Sequence, residues 1–287
     1  MKAKKVEGFM QGVFLISALL SVLSIILIII FMFAGGVPFM LEYGIADFLF
    51  GDRWSPSNTP ASFGILPMIL GSIFVTLGAI VIGVPIGILT AVFMAEFCPP
   101  KLHRWLKPAV NLMAAIPSIV YGFFALQLIV PIMRNFSGGT GMNMLTAMIL
   151  LGVMILPTVI GLSESSLRSV PRSYYTGSMA LGATHERTVM KVIMPAAKSG
   201  IISSIILGVG RAIGETMAVV LIAGNQPIIP QSITSGVRTL TTNIVLEMAY
   251  AAGEHREALI ATGVVLFVFI LIINGVFMFI KRKESRA

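Results

Sequence analysis

The stretch Tyr174–Ser199, YYTGSMALGATHERTVMKVIMPAAKS, is a long polar interruption between two strongly apolar spans near the middle of the chain. Its pattern predicts a helix, a tight turn and a second helix lying at a membrane surface. The first helix covers roughly Ser173 to Leu181, and Gly182 stands where positive φ is cheap and a helix C-terminus can close. Thr184 can cap the second helix, with Glu186 in its first turn. Val189, Val192 and Ile193 keep apolar helical spacing there. That helix is expected to stop near Met194, because Pro195 disfavours αR in the residue before it. Pro195 itself suits the first turn of a following helix. Taken alone, the stretch also reads as an amphipathic connection resting on lipid. Gly177, Gly182 and Thr184 imitate the spacing of a phosphate-binding loop, but Ala183 occupies the place of the obligatory Lys, so the nucleotide reading fails. No other segment offers a replacement, and any ATP that drives the protein is therefore expected on another chain.

Outward from that stretch the chain is apolar. It has 287 residues, 56% hydrophobic and 11% charged, with several runs of about twenty apolar residues, the length of a helix that crosses a bilayer. These features predict an all-α, polytopic membrane protein forming one unit over residues 1–287. Six spans are expected, at about Val13–Phe33, Gly64–Ala95, Ala109–Met133, Asn143–Leu162, Ile201–Ala223 and Ala258–Ile280. The first run is too long for the apolar part of a cleavable signal and reads as a membrane helix. Ala34–Phe63, with GDRWSPSNTP, reads as an exposed loop, and CPPKLHRWLKP as a short basic loop. Gly78, Gly83, Pro85 and Gly87 make the second span bendable and closely packable. Pro117 is expected to break or kink the third span, and Pro157 lies inside the fourth. Between Gly224 and Glu257 the segment TTNIVLEMAYAA is a candidate short helix. Cys98 is the single cysteine, which excludes an intrachain disulfide framework, and His103, His185 and His255 are too scattered to suggest a metal site.

Lys and Arg settle the expected orientation. Among the connections on one side only Arg53, Arg134, Arg238 and Arg256 occur; apart from Arg211 inside the fifth span, every other Lys and Arg falls on the other. The positive-inside rule places that basic side, both termini and Tyr174–Ser199 in the cytoplasm. The same asymmetry explains the net charge of +8 without a nucleic acid.

Arg211 and Glu215, in GVGRAIGETMAVVLIAG, are the ionisable residues near the middle of an apolar span. On a continuous helix they share a face and reach one another. An isolated charge at mid-bilayer costs about 2.5–3.5 kcal/mol on insertion scales, so such residues face protein or water. Two readings stand: a translocation path in which the Arg211 fork holds a tetrahedral oxyanion and Glu215 moderates that hold, or a buried ion pair fixing helix register. Gly208, Gly210 and Gly214 offer a small-residue packing face, with Gly210 and Gly214 as a G-x-x-x-G pair.

Tyr174–Ser199 is also similar to the coupling loop of ATP-binding cassette (ABC) importer permeases: Glu-Ala-Ala, Gly after three residues, then Ile-x-Leu-Pro after nine more. Here Gly182 is followed at that spacing by Val192, Met194 and Pro195, while Thr176, Gly177 and Ser178 replace Glu-Ala-Ala, so the acidic residue is missing. With AAIPSIVYG, and with GRAIGETMAV leading to GN, the chain resembles the inner-membrane permeases of phosphate-specific ABC importers. FGDRWSP and the GNQP loop favour their C type, and the likeness runs from about Asp47 to the C-terminus. The resemblance implies a type I ABC importer permease fold with a cytoplasmic coupling helix that docks on an ATPase, here through Met179, Ala180, Leu181, Gly182, Ala183, Thr184, His185 and Pro195. It also implies that Arg211 and Glu215 move inorganic phosphate. The implied partners are an A-type permease, an ATPase dimer that holds ATP and Mg, and an extracytoplasmic phosphate-binding protein; this chain binds no cofactor. Competing expectations are an importer for molybdate, sulfate or phosphonate, an ATPase-independent transporter with Glu215 as proton carrier, and a scaffold that translocates nothing.

Overall fold

A computed structural model describes residues 2–284, apart from the side chains of residues 2–6, 8 and 280–284. Lys2, Lys4, Lys5 and the tail KRKESRA, counted above as orientation signals, lie outside the described side chains. The helices are α1 (Lys2–Tyr43), α2 (Ile45–Phe50), α3 (Leu66–Val92), α4 (Pro100–Ala115), α5 (Ser118–Ser137), α6 (Met144–Arg168), α7 (Arg172–Ala180), α8 (His185–Thr188), α9 (Met194–Ala196), α10 (Lys198–Gly214), α11 (Met217–Ile222), α12 (Leu240–Glu247) and α13 (Glu254–Glu284). One hairpin, β1 (Trp54–Ser55) with β2 (Ser62–Phe63), pairs Trp54 with Phe63. Among the described residues five single helices are long and apolar enough to cross a membrane, and the pair His185–Ala196 and Lys198–Gly214, bent by 68°, makes a sixth if it counts as one span.

The core is the contact of α3, α6 and α10, with α11 closing one end. Small residues decide it. A β-carbon at Gly83 would lie 2.5 Å from the Gly152 carbonyl oxygen, so α3 and α6 meet backbone to backbone. Val75, Ala79, Leu151, Met154 and Ile155 fill the seam, and Ala218, Val219 and Ile222 of α11 complete it. Ser163 of α6 and Ser204 of α10, both buried, share a hydrogen bond of 2.7 Å across their contact.

Several expectations are corrected. The first helix does not end at Phe33 but continues to Tyr43 through Pro38. Gly36 lets it press on α13, since a β-carbon there would sit 2.8 Å from the Ala261 Cα, and that packing outweighs the hydrogen bond a proline removes. Ala34–Phe63 is not an exposed loop as a whole. Phe39, Phe48, Trp54 and Phe63 are buried on Ala258, Leu259 and Ala261 of α13, while the hairpin tip Ser57–Pro60 and side chains such as Leu41 and Phe50 stay exposed. Phe39 and Phe63 meet edge to face at 5.4 Å, an arrangement that adds about 0.5–1.5 kcal/mol beyond burial. CPPKLHRWLKP is helical: α4 places His103, Leu106, Lys107 and Val110 on an inward face and leaves Lys101, Arg104 and Trp105 exposed. The break at Pro117 occurs as expected, between α4 and α5, whereas Pro157 sits inside an unbroken α6 that runs to Arg168.

Candidate functional site

The expected fifth span is interrupted where its charges lie. α10 ends at Gly214, Glu215 is extended at φ −69° and ψ 129°, and α11 begins at Met217. The reading of Arg211 and Glu215 on one continuous face, and with it the register-fixing ion pair, is therefore corrected: among the described residues no ion pair joins them. The Glu215 carboxylate instead accepts the N–H groups of Thr216 and Ala218, each at 3.1 Å. These are donors that a helix N-terminus leaves open. Thr216 and Thr241 hold the carbonyls of Gly214 and Glu215 at 3.2 and 3.1 Å. The apolar sequence alone hid this break, because a carboxylate acting as a cap has the same hydropathy as one in a helix.

Arg211 lies in the last turn of α10, where the helix dipole favours a cation. It is half-buried, and among the described residues no hydrogen bond or ion pair is found for it. On the neighbouring α5, the Tyr121 hydroxyl donates to the Met113 carbonyl at 2.8 Å. Irregular backbone at membrane depth is tolerated against protein or a watery cavity, so an interrupted helix beside an uncompensated guanidinium suits an anion passing close by. Of the three glycines, only Gly208 packs closely within the chain, since a β-carbon there would lie 3.1 Å from Val159 Cγ2. β-Carbons at Gly210 and Gly214 would meet nothing within 4 Å, which corrects their expected packing role inside this chain.

The elbow follows the sequence closely. α7 ends with Gly182 at φ 84°, and the bonds from Gly182 N–H to Met179 and from Ala183 N–H to Ser178, at 3.0 and 3.3 Å, form a Schellman closure. Thr184 caps α8 by accepting the Arg187 N–H. The second helix does not stop at Met194. A π-helical turn over Val189–Ile193 carries it through Pro195 to Ala196, since the wider turn re-seats the backbone before the proline. Met179, Ala180, Leu181, Gly182, Thr184 and Pro195 are exposed, Leu181 to 91%. Ala183 and His185 are half-buried; His185 shares a 3.1 Å hydrogen bond with Tyr175 and packs on Phe97 at 4.7 Å, bracing the elbow from within.

Two buried carboxylates were missed from the sequence. Glu164 of α6 receives His103 at 2.7 Å, Lys107 at 2.8 Å and Arg168 at 3.0 Å; the Glu164 to Arg168 spacing of four was its available signal. Glu247 of α12 accepts Trp54 Nε1 at 2.9 Å, bonds His255 at 2.8 Å and pairs with Arg238. It thus joins the hairpin, the connection before α12 and the start of α13. Burial opposes its ionisation, but the bonds from Trp54, His255 and Arg238, with the Arg238 charge, outweigh burial and hold the carboxyl below its usual range. The partners of Glu247 lie eight or more residues away in sequence, so no helical spacing rule points to it.

Comparisons with known proteins agree with this architecture. Residues 83–286 match the family described as binding-protein-dependent transport system inner membrane component. The chain is 38% identical to the probable ABC transporter permease YqgH of Bacillus subtilis, over 90% of this chain and 86% of that protein. It is 30% identical to the phosphate transport system permease protein PstC of Pasteurella multocida, over 90% of each chain. Among solved structures, a bacterial alginate ABC transporter in complex with an alginate pentasaccharide-bound periplasmic protein superposes with a TM-score of 0.66 at 13% identity, covering 96% of each chain. The helices, the exposed elbow and these matches together make this chain a member of the binding-protein-dependent transport system inner membrane components, with the fold of ABC importer permeases.

Proposed function

We propose that this chain is the C-type permease subunit of a phosphate importer, moving inorganic phosphate across the cytoplasmic membrane by alternating access. The observation that carries the substrate is the 30% identity, over nine-tenths of both chains, to a relative named as a phosphate transport permease. Arg211 supports it from the residues, as a fork of donors beside a helix break and without a carboxylate of its own. Glu215 contributes by capping α11 at that break, its Oε1 accepting two backbone N–H groups.

Energy enters through the elbow. Its exposed tip, Met179–Thr184, is apolar at Leu181 and rigidly closed at Gly182, which suits docking in a groove of a separate ATPase that binds ATP and Mg. An A-type permease and an extracytoplasmic phosphate-binding protein complete the assembly, with the elbow and both termini in the cytoplasm and the aromatic cap facing outward to the binding protein. Labelled phosphate and molybdate offered in turn to proteoliposomes holding the complete complex test the reading. ATP-dependent accumulation of phosphate is expected, and preferential accumulation of molybdate would overturn it.

A further inference from the structure

The Glu164 cluster lies where the elbow meets the spans. Its carboxylate, 3% exposed, gathers His103 and Lys107 from α4 and Arg168 from its own helix. Arg168 also donates to the Met94 carbonyl at 2.8 Å. Met94 belongs to the π-helical turn Phe93–Phe97 that ends the α3 span, where a carbonyl falls outside regular α-helical bonding. One carboxylate therefore ties the ends of α3 and α6 to α4. On its other side Arg168 lines a cavity of about 170 Å³ together with Arg172, Tyr175 and Ile193 of the elbow. α4 leads in turn to the Pro117 break, which Tyr121 staples through Met113.

A buried carboxylate held by Lys107, Arg168 and the His103 ring is not needed for stability alone, since apolar replacements of such clusters are often neutral or stabilising. It does fix one geometry, because moving any partner leaves charge unpaired in a low dielectric. Packed clusters of this kind have discrete arrangements and pass displacement on rather than absorbing it.

We propose that Glu164 is the positioning residue that carries the elbow's displacement to the translocation path, through Arg168 to the end of α3 and through His103 and Lys107 to α4. The proposal rests on the coupling reading given above. Its test is the ratio of phosphate taken up to ATP hydrolysed by the complete complex in proteoliposomes. In Glu164→Gln the carboxylate charge is lost. In Arg168→Gln the carboxylate keeps His103 and Lys107, so the fold is retained while the link to Met94 is cut. Both variants are expected to assemble and hydrolyse ATP, with uptake per ATP reduced at least about fivefold. Should Glu164→Gln not assemble, Arg168→Gln decides alone. A purely structural role would lower the yield of complex and leave the ratio at the wild-type value, and that result overturns the proposal. ATP-independent uptake by the wild-type complex would instead remove the coupling reading itself, and the inference with it.

Discussion

Arg211 and Glu247 show how much a single side chain's surroundings matter. Arg211 has a charge and a donor fork but no bonded partner among the described residues, so Arg211→Lys keeps the charge and loses the bidentate geometry. Uptake by that variant is expected to fall about tenfold or more while membrane insertion stays normal; wild-type uptake would remove the fork from the mechanism. Glu247 is the opposite case, a carboxylate saturated with donors. Its folded pKa is depressed, so its contribution to stability is present above the unfolded value and is lost as pH falls through the folded one. The cap that holds Trp54 is therefore expected to loosen in acid. Glu247→Gln should melt below wild type at neutral pH and lose less on acidification, as read by Trp54 fluorescence in thermal scans of the detergent-solubilised protein.

On the proposed reading, the elbow and the interrupted fifth span are the elements whose backbones carry function. Gly182 adopts φ 84° with open space around it. A β-branched residue there meets only backbone strain, of roughly 1–2 kcal/mol. Gly182→Val is thus expected to weaken co-purification of the ATPase while expression and insertion are unchanged. Leu181→Asp isolates the contact from the turn. It removes an apolar residue that is 91% exposed, so thermal stability of the free permease should stay within about 0.5 kcal/mol of wild type, whereas ATPase binding, measured by pull-down, should drop. The elbow was legible because Gly182 and Thr184 act through their own backbones and immediate neighbours. The break at Gly214 was not, because the Glu215 carbonyl it frees is met by Thr241 of α12, a partner distant in sequence.

On the proposed reading, the whole molecule offers a path for force and one for an anion but no motor. Purified alone in liposomes it is expected to move no phosphate, with uptake appearing only when the second permease, the ATPase and the binding protein are added; net flux from the single chain would end that account. Hydropathy, charge placement and short-range turn chemistry were enough to read off a helical membrane protein, the Gly182 turn with its Thr184 cap, the break at Pro117, and a resemblance strong enough to point to the right family. The aromatic cluster over α13, the helix that begins at Pro100, the separation of Arg211 from Glu215, and the gathering of partners on Glu164 and Glu247 came only with the folded chain. The difference is one of range. Turns and caps are satisfied within a few residues, whereas a buried carboxylate is stable only with donors that arrive from elsewhere in the fold, and no local pattern records which they are.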